Sequence, residues 1–386
     1  MKLHDVSYWM ALAHLPGWRT ERINNLIIEI LYKKKFTLAE FFALSKDSWL
    51  QKFCLNVKEC TDLVKAKESL PNLSFLAEHL TEHGFRIIPF TSDEYSGVLK
   101  FNLNAKYAPP LLYVKGNTKL LNQPSVAVVG SRSASTAALD FTETICRRFA
   151  AEGKVVVSGY AKGVDRSALE ATLKYGGQSI VVLPQGILTF NSGFRKLYTY
   201  LVEGNVLVTS TYFPKAPWSV GLAMNRNKII YGLSREIYVA ESNFKGGTWS
   251  GVVDGLGRGR KIFVRVPELN EKCANKVLIS KGAIPIDDRG KPYTGKPGHE
   301  LLVKDPRESY SKESLEARLI RLLSFKEPLT AREIKERLQL NIETRKLSGM
   351  LKKMDSIETI PGKLSLRFSA KSDKYKQTRL FNEKTL

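Results

Sequence analysis

The feature that most constrains this chain is a series of short apolar runs that do not alternate with polar residues: Val126–Val129, Lys154–Val157, Ser179–Leu183, Asn205–Val208, Glu236–Ala240 and Lys261–Val266. Strands of this kind are apolar on both faces, so both faces must be covered, and the usual solution is a parallel sheet with helices on either side. Helix-competent stretches lie between most of the runs, notably Thr136–Ala151 and Asp165–Lys174. Six strands in a strand–loop–helix rhythm predict an α/β fold with a doubly wound parallel sheet. Ligands of such sheets bind beyond the carboxyl ends of the strands.

The rest of the chain is organised around this Rossmann-like core. Residues 1–80 read as a helical (SAM-like) domain, in which Arg19–Lys33 carries Ile23, Leu26, Ile27, Ile30 and Leu31 at helical spacing. The core is expected over 81–267 and opens with two extended pieces, Arg86–Phe90 and Leu111–Val114. Residues 268–310 are rich in Gly, Pro and Lys and read as a linker. Residues 311–370 show three helical segments (Leu315–Leu323, Ala331–Leu338, Glu343–Met354) and an extended Ile357–Phe368, a winged-helix pattern. Within it, Thr330 and Glu333 have the spacing of a capping box. Residues 371–386 read as a flexible basic tail.

Composition narrows the partner. The 386 residues carry 60 Lys and Arg against 38 Asp and Glu, a formal net charge of +22. An excess of that size favours a polyanion, because each cation placed near a phosphate releases condensed counterions. The longest apolar runs are strand-sized, far short of a membrane span. The four cysteines (Cys54, Cys60, Cys146, Cys273) have no CxxC spacing, so reduced thiols and a cytoplasmic location are expected.

Four segments carry residues suited to binding anions. The first strand ends in Gly130-Ser131-Arg132-Ser133-Ala134-Ser135-Thr136 ahead of a helix. A small, hydroxyl-rich loop at a helix N-terminus exposes backbone N–H groups and a positive dipole end, and Arg132 adds a bidentate charge. The same residues also suit a plain turn with Ser135 or Thr136 as N-cap. The second strand ends in Ser158-Gly159-Tyr160-Ala161-Lys162-Gly163-Val164-Asp165, where Asp165 is placed to cap the next helix. Two such loops after adjacent strands would face one crevice. Asn225, Arg226 and Lys228 precede an apolar stretch, and Lys245-Gly246-Gly247-Thr248 precedes another helix. Tyr160, Phe190, Phe194, Tyr198, Tyr212, Phe213 and Trp218 lie in or near the loops after the strands, as base-stacking platforms would. At least half of them are expected to be ordinary core aromatics.

Taken together and in order, these pieces resemble the DNA-processing protein A (DprA/Smf) family. The resemblance rests on Gly130-Ser131-Arg132, Ser158-Gly159-x-Ala161-x-Gly163-Val164-Asp165, Arg226-Asn227-Lys228-Ile229-Ile230-x-Gly232-Leu233-Ser234, and Gly257-Arg258-x-x-Lys261-Ile262-Phe263 before Pro267. The chain departs from the family pattern in three places. Ala168-Leu169 stands where a histidine is usual. Pro184-Gln185-Gly186 replaces a Gly-Cys-Gly turn, and Ser210-Thr211-Tyr212-Phe213-Pro214 replaces a Ser-Glu-x-Pro run. The resemblance implies a homodimer that binds single-stranded DNA, helps load a RecA-type recombinase, and works without catalysis or cofactor. Arg132 and Lys228 would be the chief phosphate contacts, supported by Gly130, Ser131, Ser158, Gly159, Lys162, Asn225, Arg226, Gly246, Gly247 and Thr248.

The rival reading is a nucleotide-sensing or nucleotide-hydrolysing protein of the lysine decarboxylase-like type, whose Gly-Gly-x-Gly-Thr-x-x-Glu loop resembles Lys245-Gly246-Gly247-Thr248. Here Gly251, not a glutamate, stands three residues past the threonine, which removes the acid expected at the ribose carbon. His79-Leu80-Thr81-Glu82-His83 matches a zinc motif in letters but has no evident third ligand. In the tail, Gln377-Thr378-Arg379-Leu380-Phe381 resembles the QxxLF peptide recognised by sliding clamps.

Overall fold

The computed structural model describes residues 3–268 and 271–293, and parts of the stretch between 319 and 370. The chain divides into two compact units, Met1–Val303 and Lys304–Leu386.

The first unit begins with helices α1 (Leu3–Ala13), α2 (Thr20–Ile28), α3 (Leu38–Ala43), α4 (Lys46–Phe53), α5 (Val57–Glu68) and α6 (Leu70–Glu82). Thr37–Glu40 and Asn56–Glu59 each form a reciprocal capping box, which fixes where α3 and α5 start. Next come β1 (Arg86–Pro89), α7 (Gly97–Tyr107) and β2 (Leu111–Gly116). The alternating part follows as β3 (Ser125–Val129), α8 (Thr136–Ala151), β4 (Val155–Ser158), α9 (Val164–Lys174) and β5 (Ser179–Val182). It continues with α10 (Asn191–Lys196), α11 (Tyr198–Val202), β6 (Val206–Ser210), α12 (Val220–Gly232), β7 (Glu236–Val239), α13 (Gly247–Gly257), β8 (Ile262–Arg265), α14 (Asn275–Ser280) and β9 (Ile284–Ile286).

Among the described residues the nine strands form one sheet in the order β1-β2-β6-β5-β4-β3-β7-β8-β9. The pairs from β6 through β9 are parallel, and β1 and β2 join antiparallel at one edge. Every residue of β3, β4, β5 and β6 is buried, as the unbroken apolar runs require. On one face Phe141, Ile145 and Phe149 of α8 and Ala168 of α9 pack on Val126, Val128 and Val156. From β3 the chain winds outward through β6, then returns to place β7 on the other side of β3. The reversal of strand order therefore falls at β3/β7.

The linker expected over 268–310 is corrected in part: 275–280 form α14 and 284–286 form β9, the last strand of the sheet. Polar chemistry holds this segment in place. Arg265, fully buried, donates to Ala240 O at 3.1 Å and pairs with Glu271 and Asp288. Asn275, also fully buried, donates to Ala240 O and Arg265 O. A Gly/Pro/Lys-rich composition reports turns and solvent exposure, but it does not reveal two buried polar side chains that stitch a helix to a sheet.

At the other edge, His14 lies 2.8 Å from the Tyr113 hydroxyl, and Asn24 donates to Ala108 O at 2.8 Å. These contacts tie the N-terminal helices to β2. His79 on α6 and His83 at its C-cap have ring centroids 4.1 Å apart, and His83 Nδ1 is bonded to His79 O. Among the described residues no group of three or more His, Cys, Asp or Glu could hold a metal.

In the second unit, β10 (Leu329–Thr330), β11 (Ile357–Ile360) and β12 (Arg367–Ala370) form a three-stranded antiparallel sheet in the order β10-β12-β11. Two helices, α15 (Ala331–Arg337) and α16 (Thr344–Leu351), contribute to its core. That core contains Leu319, Leu323, Ile334, Leu347, Leu351, Ile357 and Phe368. The Thr330–Glu333 capping box is formed. Residues 371–386, including Gln377, Leu380 and Phe381, lie outside the described residues.

Removing Glu271 leaves the buried Arg265 only the longer pair with exposed Asp288, so Glu271→Ala is expected to cost about 3 kcal/mol by urea denaturation. Burial lowers the pKa of His14 from 6.5 to about 4. Its unfolded form then binds a proton that its folded form refuses between those two values. This stabilisation is complete above pH 6.5 and is lost as pH falls through about 4, about 3 kcal/mol in all. His14→Gln should flatten the stability–pH curve in that window relative to the wild type.

Candidate nucleic-acid interface

At the β3/β7 switch point the loops after β3, β4 and β7 meet. The polypeptide closes them on one another chiefly through backbone. Ser131 N–H donates to Glu241 O at 2.9 Å, and Val164 N–H donates to Ser131 O at 3.2 Å. Thr248 Oγ1 donates to Gly130 O at 2.9 Å, and Asn243 Nδ2 lies 3.4 Å from Ser131 Oγ. Gly163 takes a φ of +85°, and a Cβ there would lie 2.3 Å from Ser131 O, so the first two loops touch backbone to backbone. The expectation that they share one crevice holds.

The expected phosphate seat at the start of α8 needs correcting. Ser135 caps the helix through Ala138 N–H, and the Ser135 N–H donates to Glu241 Oε2 at 3.0 Å. Glu241 is buried, so a carboxylate of the protein already occupies part of that positive end. The start of α13, by contrast, is open. Gly246 is its N-cap and no side chain caps its first turn. Gly246, Gly247 and Thr248 line a cavity of about 300 Å³ together with Gly130, Ser131, Arg132, Asn227, Asn243 and Lys245. A second cavity, of about 290 Å³, adjoins it and shares Arg132, Ala161, Ala223 and Arg226; its lining also includes Gly159, Tyr160, Lys162, Gln185, Phe190 and Trp218. Arg132, Lys162 and Lys245 are exposed at these cavities.

Helix α12 forms the wall between them. At about 100° per residue, Ala223, Asn227, Ile230 and Tyr231 share the face toward the crevice. Asn225 falls on the far side, exposed and lining neither cavity, which corrects its assignment to the site. Lys228 is exposed on the adjoining face and also lines neither cavity. Its Nζ lies 5.5 Å from the centroid of Tyr107, whose ring Arg258 also approaches at 4.5 Å.

Arg226 is corrected more sharply, because it is only 3% exposed. Its Nη1 donates to Val182 O at 2.8 Å, its Nη2 lies 3.9 Å from Asp165 Oδ2, and its buried Nε has no hydrogen-bond partner. A Cβ on residue 159 would lie 1.7 Å from Nη1, so glycine there makes room for the guanidinium. Asp165 is correspondingly not the N-cap of α9; Gly163 is, and the Asp165 carboxylate is buried in the first turn of the helix, facing Arg226. Burial raises the pKa of Asp165 against the opposing pull of Arg226, Arg132 and the N–H groups of Ala161 and Gly159. Burial likewise lowers that of Arg226, against the attraction of Asp165. Desolvation outweighs the attraction at both ends of the pair. Ser158 is buried as well, its hydroxyl donating to Asp165 O.

Among the seven aromatics singled out from sequence, Tyr160, Phe190 and Trp218 line the second cavity. None of the seven is fully buried, against the expectation that at least half would be core. Sequence reading missed Asn227, Asn243, Glu241 and the Asp165–Arg226 pair. Only Asn227 had a signal, as the polar residue one helical turn before Tyr231.

A doubly wound sheet with glycine-lined, cationic loops at its switch point defines a class of α/β proteins that take anionic ligands at the strand ends. Residues 86–291 match the family described as DNA recombination-mediator protein A, and the chain belongs to that family. It is 37% identical over 182 residues to DNA processing protein DprA of Streptococcus pneumoniae, covering 46% of this chain and 63% of the relative. It is 31% identical over 213 residues to protein Smf of Escherichia coli, covering 54% of this chain and 56% of that protein. Each match thus spans less than two thirds of the relative. The X-ray structure of DprA from Streptococcus pneumoniae superposes with a TM-score of 0.53 at 26% identity, covering 74% of this chain and 95% of that one.

The packing of Arg226 generates a direct test. Gly159→Ala puts a methyl group onto the guanidinium and is expected to cost about 1–3 kcal/mol, an overpacking penalty measured by urea denaturation.

Proposed function

We propose that this chain binds single-stranded DNA in the crevice at the β3/β7 switch point, as a binding protein and not an enzyme. The carrying observation is the joining of two cavities at Arg132, one facing the uncapped start of α13 with Lys245, the other bordered by Lys162 and aromatic rings. Single strands are held by this combination of phosphate-directed cations and N–H groups with aromatic platforms. Membership of the recombination-mediator family and the net charge of +22 support the same reading. Lys228, on the next face of α12, continues the cationic path outside the crevice. Both carboxylates at the crevice, Asp165 and Glu241, are committed to holding loops in place, which supports binding over hydrolysis.

The wider role follows the family. The protein acts as a homodimer in the cytoplasm and passes the strand to a RecA-type recombinase. The second unit is a winged helix, supported by its helices α15 and α16 and its small antiparallel sheet. The tail motif at Gln377, Leu380 and Phe381 serves a sliding clamp.

Binding of a labelled single-stranded oligonucleotide across a salt series tests the central claim. Wild type should bind with a steep salt dependence and prefer single strands over duplex. Arg132→Ala and Lys228→Ala should each weaken binding to all sequences and flatten the log–log salt slope by about 0.7 for a single strand. Displacement of the oligonucleotide by a mononucleotide would favour a nucleotide-sensing pocket instead.

A further inference from the structure

A cavity of about 1030 Å³, more than three times the volume of either crevice cavity, opens among the N-terminal helices and shares no lining residue with the crevice. Two helix faces form its sides. Asp62, Lys65 and Ala66 of α5, with the C-cap Ser69, recur at the three- and four-residue spacing of one face, as do Asn72, Phe75, Leu76 and His79 of α6. Met10, Ala11 and Ala13 of α1 line it too, with Phe213 and Lys215 from the segment after β6. Small side chains at Ala11, Ala66 and Ser69 leave a groove where larger ones would interlock the helices. The end wall is held firmly. Phe213 stands edge-on to His14 at 5.4 Å, His14 lies 2.8 Å from the Tyr113 hydroxyl, and Leu188 N–H donates to the adjoining Pro214 O at 3.0 Å. Phe213 belongs to the run in which this chain departs from the family pattern, so that wall is particular to this chain.

Exposure and charge both describe what fits the groove. Phe75 is 75% exposed, while Leu73 and Leu76 on the same helix are buried. A large ring left in water at the edge of an apolar groove is a ready anchor for a partner's apolar side chains. Among the described lining residues Asp62 is the one carboxylate, and it already accepts the Trp18 indole N–H at 3.0 Å. Lys65 and Lys215 are exposed and, among the described residues, belong to no ion pair. Two lysines beside an apolar floor do not make the continuous cationic track that a phosphate backbone follows. They do match a helix whose apolar stripe is bordered by carboxylates, the helix-in-groove mode of recognition.

We propose that this groove binds a partner protein through an acidic amphipathic helix. Its apolar residues pack against Phe75, Leu76 and Phe213, and the carboxylates flanking that stripe meet Lys65 and Lys215. Asp62 to Ser69 spans about 10 Å of helix at 1.5 Å per residue, which suits about two turns of the partner. The site is separate from the strand-binding crevice and does not depend on it.

The test uses the full chain and three fluorescein-labelled synthetic peptides of equal length, read by fluorescence anisotropy at fixed ionic strength. One is an amphipathic helix of Leu, Phe, Ala and Glu, the second a scramble of it without the apolar stripe, and the third the same helix with Lys in place of Glu. The acidic helix should bind about tenfold more tightly than its scramble, which has the same charge and so controls for general attraction to a chain of +22. Lys65→Glu combined with Lys215→Glu should weaken the acidic helix about tenfold and make the Lys peptide the better ligand. Phe75→Ala, at an exposed position, should weaken it about fivefold with Tm unchanged. Thermal melts identify any variant that has lost its fold, and the comparison of peptides on the wild type needs no mutation. The paired glutamate variant should bind a single-stranded oligonucleotide as the wild type does. Equal binding of the acidic helix and its scramble overturns the proposal, as does binding that survives both the charge reversal and Phe75→Ala. A loss of oligonucleotide binding in the glutamate variant as large as its loss of peptide binding also overturns it, and assigns this face to the nucleic acid. If the oligonucleotide fails to bind even the wild type, the strand-binding reading falls and the peptide result stands.

Discussion

The site depends on one buried guanidinium. Arg226 reaches from the middle of α12 to the carbonyl at the end of β5, packs on Gly159 after β4, and faces Asp165 inside α9. The chain following β4, the end of β5 and α12, which follows β6, are thereby held at one point. Both members of the pair bear a desolvation cost that their mutual attraction does not offset, so the contact is a poor source of net stability. It does set position: with Arg226 in place, α12 presents Asn227 and Tyr231 to one cavity and Ala223 to both. A residue that sequence reading assigns to the ligand instead supports the walls around it.

A second internal substitution has the same character. Glu241 accepts the Ser135 N–H at the start of α8, where an anionic ligand was expected. That carboxylate stabilises the loop after β3 without outside help and leaves the uncapped start of α13 as the open positive end. Arg132, between the two cavities, becomes the exposed charge common to both. The open positive helix end thus lies on the β7 side of the switch point and not at the loop after β3.

Much of the fold was legible in residue order. Unbroken Val and Ile runs exclude a sheet with a wet face, and the observed strands fall within a residue or two of those runs. Loops rich in Gly and Ser after β3 and β4 were recognisable as neighbours because parallel strands bring their carboxyl ends to one edge. The segment 268–293 was misread because its order comes from Arg265 and Asn275, two polar residues that composition assigns to the surface. Asn225, Arg226 and Lys228 were indistinguishable in sequence, since three polar residues within four positions of a helix point in three directions.

By itself, then, the sequence determined the parallel sheet, the edge at which its glycine-rich loops gather, the basic character of the chain, and the family. These follow from hydrophobic patterning, turn chemistry and charge, all of which act locally or in sum. Tertiary structure decided which cation faces solvent and which is buried, which helix start remains open, and that Gln185, Phe190 and Trp218 meet Tyr160 around one cavity. Those outcomes turn on contacts between residues up to about a hundred positions apart, such as Glu241 with Ser135. Desolvation and close packing act on neighbours in space, and the order of residues along the chain does not specify those neighbours until the sheet has brought them together.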